Sequence, residues 1–258
     1  MDPVVTIFIF IMGVCVGSFL NVVAMRYIKE ESVGGRSYCT ACHKTLCWWE
    51  LIPLFSFLFL VGKCSKCRKP VSWQYPLVEL ATGLLFVGVF SSIPLNWVSF
   101  VSSLVLAIIL SLLVILFLID WHIFILPDIY IVALSVLVIV LLFIQPNAPS
   151  FFSSLGGILI GSGFLFLLWI ITHRQGIGFG DVKLLVPLGA LLGTHGTIVL
   201  LWMSFSAGGL VGLYLLARGK AHLKTPLPFG PFLTVAAVIL LLFPHLTQAF
   251  FSITFGMR

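Results

Sequence analysis

Apolar runs dominate the chain, and most have the length of a membrane-spanning helix. Such a helix needs roughly 20 predominantly apolar residues to cross the hydrocarbon core of a bilayer. Eight runs can be read in the sequence, of which the sixth is short: 4–25, 75–92, 97–119, 129–144, 151–172, 183–193, 197–217 and 230–253. The pattern predicts an all-α polytopic membrane protein with about eight transmembrane helices, forming a single membrane domain over residues 1–258.

The composition agrees with this prediction. Of the 258 residues, 60% are hydrophobic and only 9% are charged, whereas an ordinary soluble domain carries about 25% charged residues. A soluble enzyme, a disordered tail and a coiled coil are therefore excluded. The first apolar run is expected to be retained as a span, because no basic region precedes it as in a cleaved signal peptide.

The basic residues are distributed to one side of the predicted spans. The net charge is +6, which in a soluble protein would suggest nucleic acid as a partner. If the chain crosses the membrane eight times, 13 of the 14 Lys and Arg residues lie on one side of the membrane and only Arg258 lies on the other. The 13 are Arg26, Lys29, Arg36, Lys44, Lys63, Lys66, Arg68, Lys69, Arg174, Lys183, Arg218, Lys220 and Lys224. Because basic residues mark the cytoplasmic face, we expect both termini outside, the lipid bilayer as surroundings and no nucleic acid partner.

Residues 26–74 form a cytoplasmic insertion between the first two spans, and this insertion contains two Cys-x-x-Cys pairs. Four thiolates in this arrangement suit one tetrahedral zinc ion, and they leave no open coordination position. We therefore predict a structural zinc ion, with redox-active or unbound thiols as the alternative. Its ligands are Cys39, Cys42, Cys64 and Cys67. Cys47 is interpreted as a spare thiol.

The cysteine pairs are separated by Trp48, Trp49 and Glu50 and then by an apolar stretch, residues 51–61. Eleven apolar residues are too few to span a bilayer. The stretch suits a segment that lies in the membrane interface, with the tryptophans at headgroup level. In the alternative interpretation, the same residues fill the core of the zinc-binding insertion.

Eight acidic residues are present, so each can be considered alone. Asp2, Glu30, Glu31 and Glu50 are interpreted as solvated or interfacial charges. Asp128 precedes the fourth span, where we expect an N-cap. The remaining three carboxylates lie at membrane depth or at its edge, where ionisable groups mark functional sites.

Glu79 lies about one turn inside the second span, where the sequence leaves open whether it pairs with a basic residue or binds substrate. Asp120 ends the third span, and Asp181 opens the sixth after three alternating glycines. The glycines, among them Gly178 and Gly180, allow close backbone approach or positive φ, which suits a site that holds an extended peptide.

Two carboxylates at one membrane edge favour acid–base chemistry on a water molecule. Like charges at close range cannot both ionise, so Asp120 and Asp181 would share one proton. The ionised group would take a proton from water while the protonated group polarises a peptide carbonyl. Neither a G-x-S-x-G nor an H-E-x-x-H motif is present to suggest a competing hydrolytic site.

Taken together, the motifs resemble those of the bacterial type IV prepilin leader peptidases, bifunctional peptidase and N-methyltransferase enzymes. The matching pieces are GSFLNV at 17–22, the four-cysteine insertion, YPLVEL at 75–80, Asp120, LPD at 126–128, GFGDVKL at 178–184 and PFGPF at 228–232. They occur in order along essentially the whole chain. Only the loop before the first cysteine pair departs from the family, in lacking a proline.

The resemblance implies a G-x-G-D membrane aspartic protease of the bacterial inner membrane, in which Asp120 and Asp181 are the catalytic aspartates. The implied substrates are prepilins or pseudopilins, whose short basic leader is cut at the cytoplasmic face. A second implied activity methylates the new N-terminal residue with S-adenosylmethionine, although no nucleotide-binding loop is recognisable in the sequence. Gly178, Gly180 and Glu79 are candidate substrate-binding residues.

Two other classes of function are alternatives to the peptidase. An ion- or metal-coupled transporter would use Asp120, Asp181 and Glu79 to carry protons, but it predicts carboxylates near the midplane and two related halves. A non-catalytic scaffold for a secretion assembly would need only the zinc-binding insertion. No pattern in the sequence indicates an oligomeric state.

Overall fold

A computed structural model of the chain describes residues 2–91, 96–173, 176–219 and 227–255. Within these ranges every regular element is helical, apart from two isolated β-bridges. The helices are α1 (Pro3–Ile28), α2 (Phe55–Phe59), α3 (Gln74–Ser91), α4 (Trp97–Ile123), α5 (Asp128–Ile144), α6 (Phe151–Ile171), α7 (Phe179–Ala217), α8 (Gly230–Leu242) and α9 (His245–Phe255), with a 3₁₀ turn at Trp48–Leu51. The predicted all-α class is confirmed.

The chain divides into two compact units, Met1–Ile115 and Leu116–Arg258, with the division inside α4. In the first unit α1 packs directly on α3, and glycines make this close approach possible. A Cβ atom on Gly13 would lie 2.9 Å from the Cα atom of Gly83, and one on Gly17 would lie 2.9 Å from the Cα atom of Glu79. Small residues at such interfaces are the usual means of packing helices in a membrane.

In the second unit α7 is interrupted at Gly193, whose φ of 67° and ψ of −176° are not helical. A Cβ atom on Gly161 of α6 would lie 2.9 Å from Thr197 Cγ2 and 3.6 Å from Leu185 Cβ. Residues 12 positions apart in an unbroken helix are about 18 Å apart, so Leu185 and Thr197 could not both touch one point of α6. The chain therefore reverses direction at Gly193, and residues 179–192 run antiparallel to residues 194–217.

The reversal leaves backbone groups that a continuous helix would have paired, and serines of α6 bind two of them, the N–H of Thr194 and the carbonyl of Ala190. The N–H of Thr194 donates to Ser153 Oγ at 3.2 Å, the Thr194 hydroxyl donates to the Ser153 carbonyl at 3.0 Å, and the Ser154 hydroxyl donates to the Ala190 carbonyl at 2.9 Å. Such satisfaction is required at membrane depth, where water cannot serve as a partner.

Eight full-length spans are not confirmed. Five described helices are long and apolar enough to cross a membrane when α7 is counted once over its full length in spite of the reversal at Gly193, or six if α8 and α9 are counted as one span bent by 100°. The break between α8 and α9 contains Pro244, which cannot donate the hydrogen bond that a continuous helix needs. With 17 residues, α5 is about 26 Å long, slightly less than the hydrocarbon thickness of about 30 Å.

Candidate active site

Asp120 and Asp181 both lie in the C-terminal unit, and both are about 95% buried. Asp120 is on the last turn of α4, and Asp181 is on the first turn of α7. Gly178 is the N-cap of α7, which makes Asp181 the third helical residue. From that position its carboxylate folds back and accepts a hydrogen bond from the N–H of Gly178, as acidic side chains at this position do in capping boxes.

Gly230, the first residue of α8, brings the two carboxylates together. Its backbone N–H donates to the carboxylate of Asp120. A Cβ atom at this position would lie 2.5 Å from Asp120 Oδ2 and 3.3 Å from Asp181 Oδ1. The two oxygens therefore approach the same point from two helices, and they can be no farther apart than the sum of these distances.

The same two oxygens lack hydrogen-bond partners. Asp120 Oδ2 and Asp181 Oδ1 are buried, and no donor among the described residues reaches either of them. A buried acceptor without a donor is costly, and two facing carboxylates also repel each other unless they share a proton. This pair is therefore suited to bind a proton and a water molecule between its members, as aspartic protease dyads do.

The glycines before Asp181 provide close approach rather than positive φ. Gly178 has an ordinary φ of −69°, and a Cβ atom there would lie 3.1 Å from Asp181 Oδ2. A Cβ atom on Gly180 would lie 3.0 Å from Leu126 Cβ. Both glycines thus let neighbouring groups pack against the start of α7, while their role toward a substrate stays a prediction.

Asp128 does not cap α5, and that expectation is wrong. The N-cap is Pro127, and Asp128 is the first helical residue. Its exposed carboxylate accepts a hydrogen bond from Lys183 Nζ at 2.8 Å. Proline at 127 fixes the entry of the chain, and the helix begins at Asp128 itself, one residue earlier than a cap at Asp128 requires.

Glu79 is buried on α3 in the N-terminal unit. Its carboxylate accepts hydrogen bonds from the backbone N–H of Leu54 at 2.8 Å and from the hydroxyl of Ser18. Within the described residues no cation pairs with it, so the expected basic partner is not found there. Its proposed contact with substrate stays a prediction.

The four-cysteine insertion contains two hairpins with the same backbone geometry. Isolated bridges close them at Tyr38–Thr45 and Lys63–Pro70. The N–H of the first cysteine in each hairpin, Cys39 or Cys64, donates at 2.9 Å to the carbonyl of the residue five positions later. The residue after the second cysteine has positive φ in both, 54° at His43 and 59° at Arg68.

The two hairpins direct their four thiols to one point. The Sγ atoms of Cys39, Cys42, Cys64 and Cys67 all lie within 4.8 Å of one another, and the Sγ atoms of Cys39 and Cys67 are 3.9 Å apart. Zinc–sulfur bonds of 2.3 Å in a tetrahedron place the sulfurs about 3.8 Å apart, so the arrangement fits zinc after a small contraction. Backbone N–H groups of Cys67 and Lys66 lower the pKa of the Cys64 thiol to about 6, whereas burial and the neighbouring thiols raise the pKa of Cys67 to about 11. Cys64 is therefore the thiol that most readily gives the thiolate that a metal requires. Cys47 is exposed and outside this cluster.

Glu50 connects the two hairpins, and its interpretation as a solvated or interfacial charge is wrong. It is 93% buried and accepts hydrogen bonds from Lys44 Nζ at 2.9 Å, from the N–H of Cys47 at 2.7 Å and from the Ser65 hydroxyl. Burial raises the pKa of Glu50, but these donors outweigh burial and hold the pKa at about 2. The carboxylate is therefore ionised at neutral pH and joins one hairpin to the other.

The double variant Cys39→Ser/Cys42→Ser is expected to lose the metal, because serine hydroxyls do not replace thiolates as zinc ligands. Metal analysis of the purified protein should fall from about one zinc per chain to none. Cys47→Ser is the matched control and should keep its zinc. An unchanged zinc content in the double variant would show that the cluster is not the metal site.

Sequence reasoning missed Gly230 as a member of the site. The one feature of the sequence that included Gly230 was the PFGPF run at 228–232. This run contributed to the family resemblance, but no function was predicted for its residues. What distinguishes Gly230 is its contact with both carboxylates, and no spacing along the chain reveals that contact.

Comparison with known proteins shows the class to which this site belongs. The model of the Bacterial Peptidase A24 N-terminal domain matches residues 11–93, and that of the Type IV leader peptidase family matches residues 107–213. The chain belongs to the type IV leader peptidase family. The second match includes Asp120 and Asp181, whereas Gly230 lies beyond it.

Relatives of the family cover most of the chain. A prepilin leader peptidase/N-methyltransferase of Aeromonas hydrophila is 35% identical, over 91% of this chain and 89% of its own length. Proteins of the same name from Myxococcus xanthus and Pseudomonas aeruginosa are 38% and 35% identical, over 86% and 90% of this chain and over 67% and 88% of their own lengths. No solved structure matches the chain.

Proposed function

We propose that this chain removes the leader of prepilins or pseudopilins and that Asp120 and Asp181 are its catalytic residues. The observation that carries the assignment is the meeting of two buried, unpartnered carboxylate oxygens beside Gly230. Membership of the leader peptidase family and the names of the relatives support the substrate class. A transporter and a non-catalytic scaffold have no comparable support.

In the proposed mechanism, the dyad holds one proton and positions a water molecule. The ionised aspartate takes a proton from this water as its oxygen attacks the carbonyl carbon of the scissile peptide bond. The protonated aspartate donates its proton to the carbonyl oxygen, so the intermediate carries no full negative charge. When the C–N bond breaks, the first aspartate gives its proton to the departing nitrogen, which becomes the new N-terminus. The second aspartate takes a proton back from one hydroxyl of the intermediate, so the carboxylic acid product forms and the dyad again holds one proton.

The substrate backbone is proposed to lie along Gly178 and Gly180 as it reaches the dyad. Neither residue has a side chain that would hold a peptide away from the start of α7. Gly178 additionally orients Asp181 through its N–H, so its backbone serves the dyad directly. Glu79 remains a candidate substrate-binding residue.

Zinc would be held by Cys39, Cys42, Cys64 and Cys67, where it would supply a structural cross-link between the two hairpins. The N-methyltransferase activity in the names of the relatives implies S-adenosylmethionine as methyl donor. That activity rests on the family, and no residue of this chain is assigned to it.

The proposed location is the bacterial inner membrane, with the N-terminus outside and the dyad facing the cytoplasm. The reversal at Gly193 supports this orientation, because it returns α7 to the side of the membrane where Lys183 lies. Arg218 follows α7 on that same side. Lys220, Lys224 and Arg174, which also entered the charge argument, lie outside the described residues.

The proposed function is tested by co-expressing the protein with a pilin-like substrate and following the leader by gel mobility. We expect complete conversion to the shorter form, and mass spectrometry of the mature protein should find one added methyl group on its N-terminal residue. An uncut substrate would contradict the peptidase assignment. A cut but unmethylated product would contradict the second activity alone.

A further inference from the structure

The residues that link the two zinc hairpins form an exposed apolar surface. We name this segment the apolar loop and define it as residues 48–61, which include the 3₁₀ turn and α2. Trp48, Leu58, Phe59 and Val61 are each more than 70% exposed. Of the five residues of α2, none is buried.

This exposure does not fit a core-filling role for the loop. The buried side chains of the four-cysteine insertion are those of Cys64 and of Glu50, the one charged residue of the loop, which are 94% and 93% buried. The apolar side chains of the loop are not among them. Exposed apolar surfaces of this kind mark contact with a membrane or with another protein. The question is therefore which of the two covers the apolar loop.

Two contacts connect the apolar loop to a membrane-spanning helix pair. The N–H of Leu54, just before α2, donates to the buried carboxylate of Glu79 on α3. Phe57 of α2 packs edge-on against Trp73, with ring centroids 4.9 Å apart, and α3 begins at the residue after Trp73. The loop is thus held against the beginning of α3.

The charges around the apolar loop favour a lipid surface over a basic peptide. Between Cys39 and Glu79 the only acidic residue is Glu50, which is buried and paired. The second hairpin follows the loop directly and exposes four cations, Lys63, Lys66, Arg68 and Lys69. A basic leader peptide would be repelled by this surface, whereas anionic headgroups attract juxtamembrane cations.

We propose that the apolar loop inserts into the bilayer leaflet at which α1 ends, with the cations of the second hairpin on anionic headgroups. Amphipathic segments of this type enter roughly 5–10 Å into the headgroup and acyl boundary, and tryptophan is favoured at that depth. Glu79 then acts as an anchor, because its hydrogen bond to Leu54 holds the loop at the membrane surface. The insertion keeps the zinc hairpins against the leaflet.

The test uses the full-length, zinc-loaded protein in nanodiscs of phosphatidylcholine mixed with phosphatidylglycerol. A photoreactive p-benzoylphenylalanine replaces Leu58 in one variant, the lipid-facing Phe8 of α1 in a second and the exposed Thr45 of the first hairpin in a third. After irradiation, mass spectrometry should find phospholipid adducts at position 58 in a yield similar to that at position 8, with background at position 45. Zinc content measured on each variant verifies that the insertion is folded.

The charge component is tested in the same nanodiscs. At position 58, phosphatidylglycerol should be over-represented among the adducts relative to its share of the lipid. A variant without the four cations should return the phosphatidylglycerol fraction of the adducts to its share of the lipid. This variant combines Lys63→Gln, Lys66→Gln, Arg68→Gln and Lys69→Gln. Adducts that simply follow the lipid composition would overturn the role of the cations. Cross-links from position 58 to a second copy, or to residues of the same chain, in place of lipid would overturn the proposal as a whole.

Discussion

We expect Asp120→Asn and Asp181→Asn each to abolish leader cleavage while the protein remains folded in the membrane. Either change leaves the pair without the proton exchange that activates water and protonates the carbonyl oxygen. General acid–base catalysis of this kind contributes about 10²–10⁴-fold, so we expect each variant to lose at least about 10³-fold in cleavage rate. The measurement is the rate of leader removal from a pilin-like substrate by the purified, reconstituted protein.

Asp128→Asn is the matched control for these variants. Asp128 lies between the two aspartates in sequence and in the same unit, but its carboxylate is exposed and paired with Lys183. An exposed pair of this kind contributes at most about 1 kcal/mol to stability, so cleavage should proceed at the unmodified rate. If Asp128→Asn lost as much activity as the other two variants, the assignment of Asp120 and Asp181 as the catalytic pair would be untenable.

Gly230→Ala is expected to inactivate the peptidase without unfolding it. The new methyl group would lie 2.5 Å from Asp120 Oδ2 and 3.1 Å from its Cγ atom, so the carboxylate must move away from Asp181. A displacement of about 1 Å in a catalytic group can cost about 10²-fold in rate, and we expect a loss of at least that size. Because Gly230 begins α8, alanine is well tolerated by the helix itself.

The control is Gly163→Ala on α6, where a Cβ atom meets no other atom within 4 Å. This variant should cleave substrate as the unmodified protein does. Zinc content and thermal stability in detergent are measured for both, since neither change is near the cysteine cluster in sequence. Full activity of Gly230→Ala would mean that the two carboxylates do not face Gly230 during catalysis.

Much of the fold follows from local patterns. Apolar runs predicted the positions of α1, α3, α4, α5 and α6 to within a few residues, because helix formation and burial in lipid both depend on consecutive apolar side chains. The interruption of α7 at Gly193 coincides with the last residue of the predicted run 183–193. The run 230–253 was predicted as one span, but the structure divides it into α8 and α9 with a bend of 100°. The sequence could not predict this bend at Pro244, because it depends on how neighbouring helices replace the lost hydrogen bonds.

The candidate site could likewise be predicted only in part from the sequence. Asp120 and Asp181 were conspicuous in the sequence because carboxylates are rare at membrane depth, and the cysteine pairs were conspicuous because their spacing suits tetrahedral zinc. Glu50 and Asp128 were misjudged, since whether a carboxylate is solvated, paired or buried depends on donors that lie elsewhere in the chain. Lys44 and Ser65 bind Glu50, and Lys183 binds Asp128.

By itself, the sequence determined that this protein is helical and membrane-embedded, which thiols gather for a metal, and which two carboxylates are candidates for chemistry. These properties reside in residue type and spacing along the chain. Only the tertiary structure decided that the two carboxylates face Gly230, which lies 49 residues beyond Asp181. It likewise decided that Glu50 joins the two cysteine hairpins and that the apolar loop is exposed beside the beginning of α3. Those are contacts between segments distant in sequence, and their geometry is set by the packing of whole helices.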